Sequence, residues 1–382
     1  MIPALSGAQD GRVITLEGEA IPADIVRIAE GKASAEDGRE FALDSLRAII
    51  PPEAGGAEPP QAPFVRMVNG GVLEAPSAVL EGERVRFDHP VLGQVSLGID
   101  SLHALALRAP AQESRFDKAI RSAPGGRQDD VLFLTDPEGG EPQEAEGLTE
   151  SLSEGKVVFD RAGELADAAR ADLFGIVFAA PAAEGPPPAR VVLAKGGTAA
   201  GEILGMDAAG LRLRLGPGAE VTARREDIRR IALNSPRLVF LSDLEPAAAG
   251  QEPIIAPERP AQMDRSAEGS LITVGGELFE KGIGVGSGSR LAFSLDPSQR
   301  FALFTAAIGI DDETGGKGDC EFTVWVDGQE RLRQRCRGGD PARRIRVDVS
   351  GARQLELRVE AGEDLDLADH ADWADASLVR AK

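Results

Sequence analysis

Along the first 235 residues, short runs in which every second position is apolar alternate with glycine breaks, the period of half-buried β-strands. In "RVVLAKGGTAAGEILGMDAAGLRLRLGPGAEVTARRED" the positions Val191, Leu193, Ile203, Leu211, Leu213 and Leu215 alternate with polar or small partners. Four blocks end alike, in "SLRAII" (45–50), "SLHALAL" (101–107), "DLFGIVF" (172–178) and "DIRRIAL" (227–233). Each ending has a Ser or Asp, a Leu or Ile, two variable residues, another Leu or Ile, and an apolar finish. The opening Ser or Asp suits a short turn or cap before a last strand. The pattern predicts a unit of roughly 45 residues and about five strongly bent strands, repeated four times. The units span 1–51, 64–108, 129–180 and 189–234, and their rhythm is that of small Sm-like or SH3-like barrels. Three Pro/Gly/Ala-rich stretches, 51–63, 109–128 and 180–189, read as linkers between them.

From about Pro236 the rhythm changes. "SLITVGGELFEKGIGVGSGSRLAFSL", "FALFTAAIGIDD", "CEFTVWVDGQERLRQRC", "RIRVDVSG" and "RQLELRVEA" follow as successive alternating runs. They predict a C-terminal antiparallel β-sandwich or jelly roll over 236–382, so the whole chain reads as all-β. Asp327-Gly328 reads as a hairpin turn, and a three-residue turn centred on Gly328 sets Cys320 opposite Cys336. That pair either forms a disulfide, which favours an oxidising compartment, or stays as two buried thiols.

Composition narrows the function classes. The net charge of −21 repels nucleic acid, and with no tyrosine the repeats lack the basic, aromatic surface that RNA binding needs. The repeats are therefore expected to serve as a scaffold or to contact other proteins. Forty-five glycines and 25 prolines fit a turn-rich β protein. No run reaches the ~18 apolar residues of a membrane span. The N-terminal "MIPALSGAQDG" shows no signal peptide, which leaves a cytoplasmic chain or one that starts after a removed signal.

"FLSDLEP", "GGELFEKGIGV", "FTAAIGIDDE", "FTVWVDG", "RIRVDVSGARQLELRV" and "DHADWADASL" occur in the order seen in NPCBM domains, and about 238–380 resembles that family. NPCBM domains are carbohydrate-binding modules first linked with glycosyl hydrolase family 98, and they include carbohydrate-binding module family 51. The resemblance implies a galactose-binding-like jelly roll that binds glycans, often with a structural calcium ion, in an extracytoplasmic bacterial protein. In one place the chain departs from the family: His-Ala usually follows "KGIGV", whereas here Val285 is followed by Gly286-Ser287-Gly288.

Candidate sites follow from the residues. "GIGVGSG" (282–288) mimics a dinucleotide loop, but the alternating "RLAFSL" behind it is a strand rather than the helix such a loop must open. Asp311, Asp312, Glu313 and Asp319 crowd a Gly-rich loop and are candidate calcium ligands, against an ordinary solvated turn. In "DHADWADASL", simple alternation leaves neither face apolar, which predicts a loop entering a last strand at about Ala374. Trp373 then plugs one end of the sandwich, or His370, Asp372 and Trp373 take part in ligand binding. Trp325 shares a face with Thr323, opposite Phe322, Val324 and Val326, and is the candidate sugar platform unless a neighbouring domain covers it. The other histidines, His89 and His103, lie in the repeats, so no zinc set or catalytic triad is assembled. No carboxylate pair stands apart as a glycosidase couple. The expected function is non-catalytic carbohydrate binding, and the alternative is an interaction protein whose jelly roll no longer binds sugar.

Overall fold

The computed structural model describes residues 10–52, 56–111, 114–136, 140–363 and 365–381. The signal-peptide reading and the first nine residues of the first repeat lie outside them. The described chain forms two compact units. The first comprises Ala23–Asp44 and Ala48–Asn234 with the start of the chain, and the second Val13–Pro22, Ser45–Arg47 and Ser235–Lys382.

Along residues 43–233, every recurrent ending is a 3-10 turn that delivers a strand. The turns Leu43–Ser45, Ile99–Ser101, Arg170–Asp172 and Arg225–Asp227 precede Leu46–Ile50, Leu102–Ala106, Leu173–Val177 and Ile228–Leu233. Leu46–Ile50 and Leu102–Ala106 are buried at every position, so they need cover on both faces. The blocks also pair with one another edge to edge. Leu102–Ala106 pairs with Leu173–Val177, Ile49 opposes Ile231, and Leu80 opposes Leu152. Among the described residues the sheets run antiparallel from block to block and do not close into barrels. The rhythm of small barrels is present in sequence, but the doubly buried endings pair outward instead.

The stretch 109–128, read as a linker, contains the helix Arg115–Arg121. Ser114 caps it, its Oγ accepting the Asp117 N–H at 3.1 Å, and Phe116 packs 4.9 Å from Phe133. Flanking prolines and glycines masked this element of about two turns.

The second unit is a sandwich of two antiparallel sheets. One runs Gln262–Met263, Gly282–Gly286, His370–Arg380, Phe301–Ile310, Arg343–Asp348, with Leu238–Phe240 also paired to His370–Arg380. The other runs Ala248–Gln251, Ser289–Ser294, Gln354–Ala361, Asp319–Val326, Gln329–Arg337. Phe293, Phe304, Phe322, Leu357 and Trp373 fill the space between them, each at most 1% exposed. Gly282–Gly286 is a strand in the middle of this architecture, which disposes of the dinucleotide reading.

Two single-residue irregularities set the geometry. His370–Arg380 is one continuous strand, so the expected loop before Ala374 is corrected. Asp375 adopts φ 48°, and the register against Phe301–Ile310 slips there. This bulge inverts the alternation, and Ala371, Trp373, Ala376 and Leu378 all reach the core. In the hairpin, Asp327 (φ 49°) and Gly328 (φ 76°) form a two-residue type I′ turn rather than the expected three-residue one. A slip between Val324 and Trp325 then adds the missing residue, so Cys320 still lies opposite Cys336. The pair is not joined in a disulfide, both side chains are buried, and burial pushes the Cys336 thiol up to about 12. A thiol reagent is expected to react with neither cysteine over minutes in the native protein and with both in denaturant. Fast labelling of the native protein would refute this burial.

Candidate functional site

Asp372 and His370 of "DHADWADASL" meet Asp311, Asp312 and Glu313 on the outer side of the first sheet, under the segment 265–274. Asp372 is fully buried between Gly284 and Gly309 on the flanking strands. A side chain at Gly284 would strike the backbone of Arg265–Ala267, and one at Gly309 would strike Val274. The glycines thus let that segment lie flat over the acid. No N–H donor or hydroxyl among the described residues reaches either Asp372 oxygen. Burial, then Asp311, Glu313 and Asp312, raise its pKa well above the ordinary carboxylate value. Burial beside these acids thus favours the protonated form of Asp372 over its carboxylate.

Asp311 is itself held by backbone. Its Oδ2 accepts the Thr273 N–H at 2.9 Å and its Oδ1 the Glu313 N–H at 2.8 Å. Asp312 accepts from the amides of Gly275 and Gly276 at 2.9 and 2.7 Å. Burial raises the Asp312 pKa against the pull of those two amides. His370 Nδ1 lies 2.9 Å from Glu313, whose other oxygen accepts from Ser266 Oγ at 2.7 Å, and His370 Nε2 lies 3.5 Å from Glu268. Asp319 belongs elsewhere, paired with Arg335, whose guanidinium holds its carboxyl below the usual range. Among the described residues, no three His, Cys, Asp or Glu side chains are grouped to hold a metal ion. Asp311, Asp312 and Asp319 are thus not gathered into one set: Asp311 and Asp312 accept backbone amides, and Asp319 faces Arg335.

The proposed ligand residues are also separated. Trp373 is 1% exposed and meets Phe322 edge-on at 5.0 Å, inside the core. His370 and Asp372 lie on the opposite face of the same strand. Trp325 is half-buried on the outer side of the other sheet. Its Nε1–H donates to Thr323 Oγ1 at 3.1 Å, and the Arg358 guanidinium covers its ring at 4.2 Å from the centroid. Arg358 and Arg290 both pair with the buried Glu356. A sugar would have to displace Arg358 to stack on that face.

The open space lies beside the edge strand Ala248–Gln251. A cleft of about 170 Å³ is lined by Gln251, Glu258, Arg259 and Pro260 over a floor of Val285 and Leu291. It shares Ala249, Gly250, Gln251 and Ser289 with a groove of about 610 Å³ that extends to Arg290, Arg358 and Glu360. Gln251 fixes the cleft wall, its Oε1 accepting the Arg259 N–H at 2.6 Å and its Nε2–H donating to the Ser287 carbonyl at 3.0 Å. Its amide also fills the space beside Gly286, where a side chain would collide with Nε2. The position at which the chain departs from its family is thus occupied by a different polar group. Sequence reading missed Gln251, Glu258 and Arg259, because "QEPIIAPERP" carries no periodicity and reads only as a proline-punctuated loop.

The second unit is thus a two-sheet antiparallel sandwich with a cleft at its edge strand. Residues 237–379 are an NPCBM/NEW2 domain. An endo-alpha-N-acetylgalactosaminidase of Renibacterium salmoninarum is 30% identical over 113 residues, which is 29% of this chain and 7% of that protein. Alpha-1,3-galactosidase B of Akkermansia muciniphila is 31% identical over 118 residues, covering 30% of this chain and 15% of its own. The chain therefore spans a small part of these curated relatives. Among solved structures, the CBM51 of a Clostridium perfringens GH95 protein in complex with methyl-galactose is similar at 28% identity. That match covers 37% of this chain and 99% of that one, with a TM-score of 0.34. The family membership supports a carbohydrate-binding role and is homology to modules that are not catalytic.

Proposed function

We propose that this chain is a non-catalytic glycan-binding protein whose C-terminal domain takes a terminal galactose-type sugar in the cleft at Gln251, Glu258 and Arg259. The carrying observation is the NPCBM/NEW2 match over 237–379, in a sandwich that has this cleft beside its edge strand. Glu258 and Arg259 supply planar polar groups for hydroxyls, and Pro260, Val285 and Leu291 an apolar floor for the ring's C–H face. The curated relatives, named for galactosidase and N-acetylgalactosaminidase activities, favour galactose or its N-acetylamino form. Extracytoplasmic placement goes with such a ligand, and the first unit serves as a scaffold or protein contact.

Isothermal titration of the full chain with galactose- and N-acetylgalactosamine-terminated glycans is expected to show binding, unchanged by calcium. Glu258→Ala should weaken it at least about tenfold, as loss of a charged hydrogen bond does, and Trp325→Ala should leave it unchanged. No heat with any such glycan would overturn the reading and favour an interaction module, a second reading that Gln251 beside Gly286 and Arg358 over Trp325 also support. Turnover of nitrophenyl glycosides above background would overturn its non-catalytic part.

A further inference from the structure

Six large hydrophobic side chains stand exposed among the described residues, and four of them share one place. Ile254 and Ile255 are 59% and 58% exposed, and Leu365 and Leu367 are 47% and 56% exposed. Asp366, between the two leucines, is buried and joins the two segments. Its carboxylate accepts the N–H groups of Ile254 (2.6 Å), Ile255 (2.9 Å) and Ala256 (2.9 Å). Pro253 and Pro257, at either end, have no N–H at all. Across Pro253–Pro257 every backbone donor is therefore either absent or already bonded, and every side chain is apolar.

An ordinary exposed loop keeps its amides for water, and moving them into an apolar phase costs free energy for each unmade hydrogen bond. Here the donor half of that cost is met inside the protein by Asp366, so the tip can leave water with its N–H groups bonded. Exposed acids flank it in sequence, with Glu252 and Glu258 on one segment and Glu363, which also pairs with Arg335, on the other. Like charges on two copies would face each other across a self-association, which argues against a second copy. The exposed aliphatic side chains of the tip suit insertion among acyl chains. The acidic rim suits the outward choline cations of a zwitterionic bilayer and is repelled by anionic lipid.

We infer that Pro253–Pro257 with Leu365 and Leu367 is a tip that docks the C-terminal domain onto a zwitterionic lipid surface. The inference stands apart from the sugar reading, since no sugar is needed for it and the residues tested are not those of the cleft. The experiment is co-sedimentation of the full chain with phosphatidylcholine vesicles at neutral pH. Binding is expected, and the double variant Ile254→Ser/Ile255→Ser should weaken it at least about tenfold, with Leu367→Ser as an independent second variant. Leu148→Ser/Leu165→Ser, which removes the two exposed leucines of the first unit, should change nothing. Adding phosphatidylglycerol should weaken binding at low salt. The proposal is overturned by no sedimentation at millimolar lipid, by equal binding of the tip variants, by tighter binding to anionic vesicles, or by self-association that the tip variants abolish.

Discussion

Trp373→Ala is expected to lower the stability of the C-terminal domain by about 3–5 kcal/mol, the range for deleting a large buried aromatic side chain. Trp373 is 1% exposed, lies 5.0 Å from Phe322 at 77° and 6.4 Å from Phe304, and its strand is the centre of the first sheet. No small side chain can reach both phenylalanines, so the cavity cannot collapse without moving strands. Denaturant titration of the full chain, following the transition that carries Trp373 fluorescence in the parent, measures the loss. Trp373→Phe should recover roughly half or more of it, since the rings of Phe322 and Phe304 still find an aromatic edge. A loss below about 1 kcal/mol for the alanine variant would show that Trp373 does not hold the sandwich together.

Asp372→Asn is expected to stabilise the protein at neutral and alkaline pH, by about 1–3 kcal/mol on the scale of an unsatisfied buried polar group. The folded-state pKa of Asp372 is raised, so the fold prefers the protonated form more than the unfolded chain does. The favourable contribution is present in full below the unfolded carboxylate pKa, near 4, and is lost as pH rises through the folded value. Asparagine is neutral at every pH and keeps an N–H for Asp311. The stability difference between variant and parent should therefore vanish near pH 4 and grow as pH rises. Thermal melts from pH 4 to 9 check this, and a constant offset across that range would show that Asp372 is not the titrating group.

The two predictions sit on opposite faces of one strand, and the sequence disclosed those faces unequally. Simple alternation in "HADWADASL" shows no apolar face, because it presumes one residue per step. The bulge at Asp375 inserts one residue, and Ala371 and Trp373 then join Ala376 and Leu378. Nothing local in Asp375 announces a positive φ beyond its being Asp. The strand rhythm and the recurrent endings were legible, since each apolar finish is a buried strand after a 3-10 turn. Barrel closure was not legible, because which edge Leu46–Ile50 or Leu102–Ala106 meets depends on blocks far along the chain.

The site was legible as chemistry but not as geometry. Asp311 and Asp312 have the spacing of cation ligands, yet the amides of Thr273, Gly275 and Gly276, almost forty residues earlier, occupy them. The outward placement of Trp325 followed from its strand parity. Its cover by Arg358 depends on the neighbouring strand Gln354–Ala361, which that parity does not identify. Asp366, which organises the apolar tip, looked like one acid among many.

The second unit also owns residues from the far end of the chain. Leu16 packs with Leu238 and Val379, and Phe240 and Leu303 lie against them. Arg47, only 4% exposed, donates to Ser377 Oγ at 2.5 Å and to the Asp375 carbonyl at 3.3 Å. The family boundary at 237–379 therefore cuts through a folded object. Excised at that boundary, the jelly roll would bare an aliphatic strip and leave a seryl hydroxyl without its guanidinium. A lineage that transplanted this module into another architecture would have to bring, or reinvent, a cover for that strip.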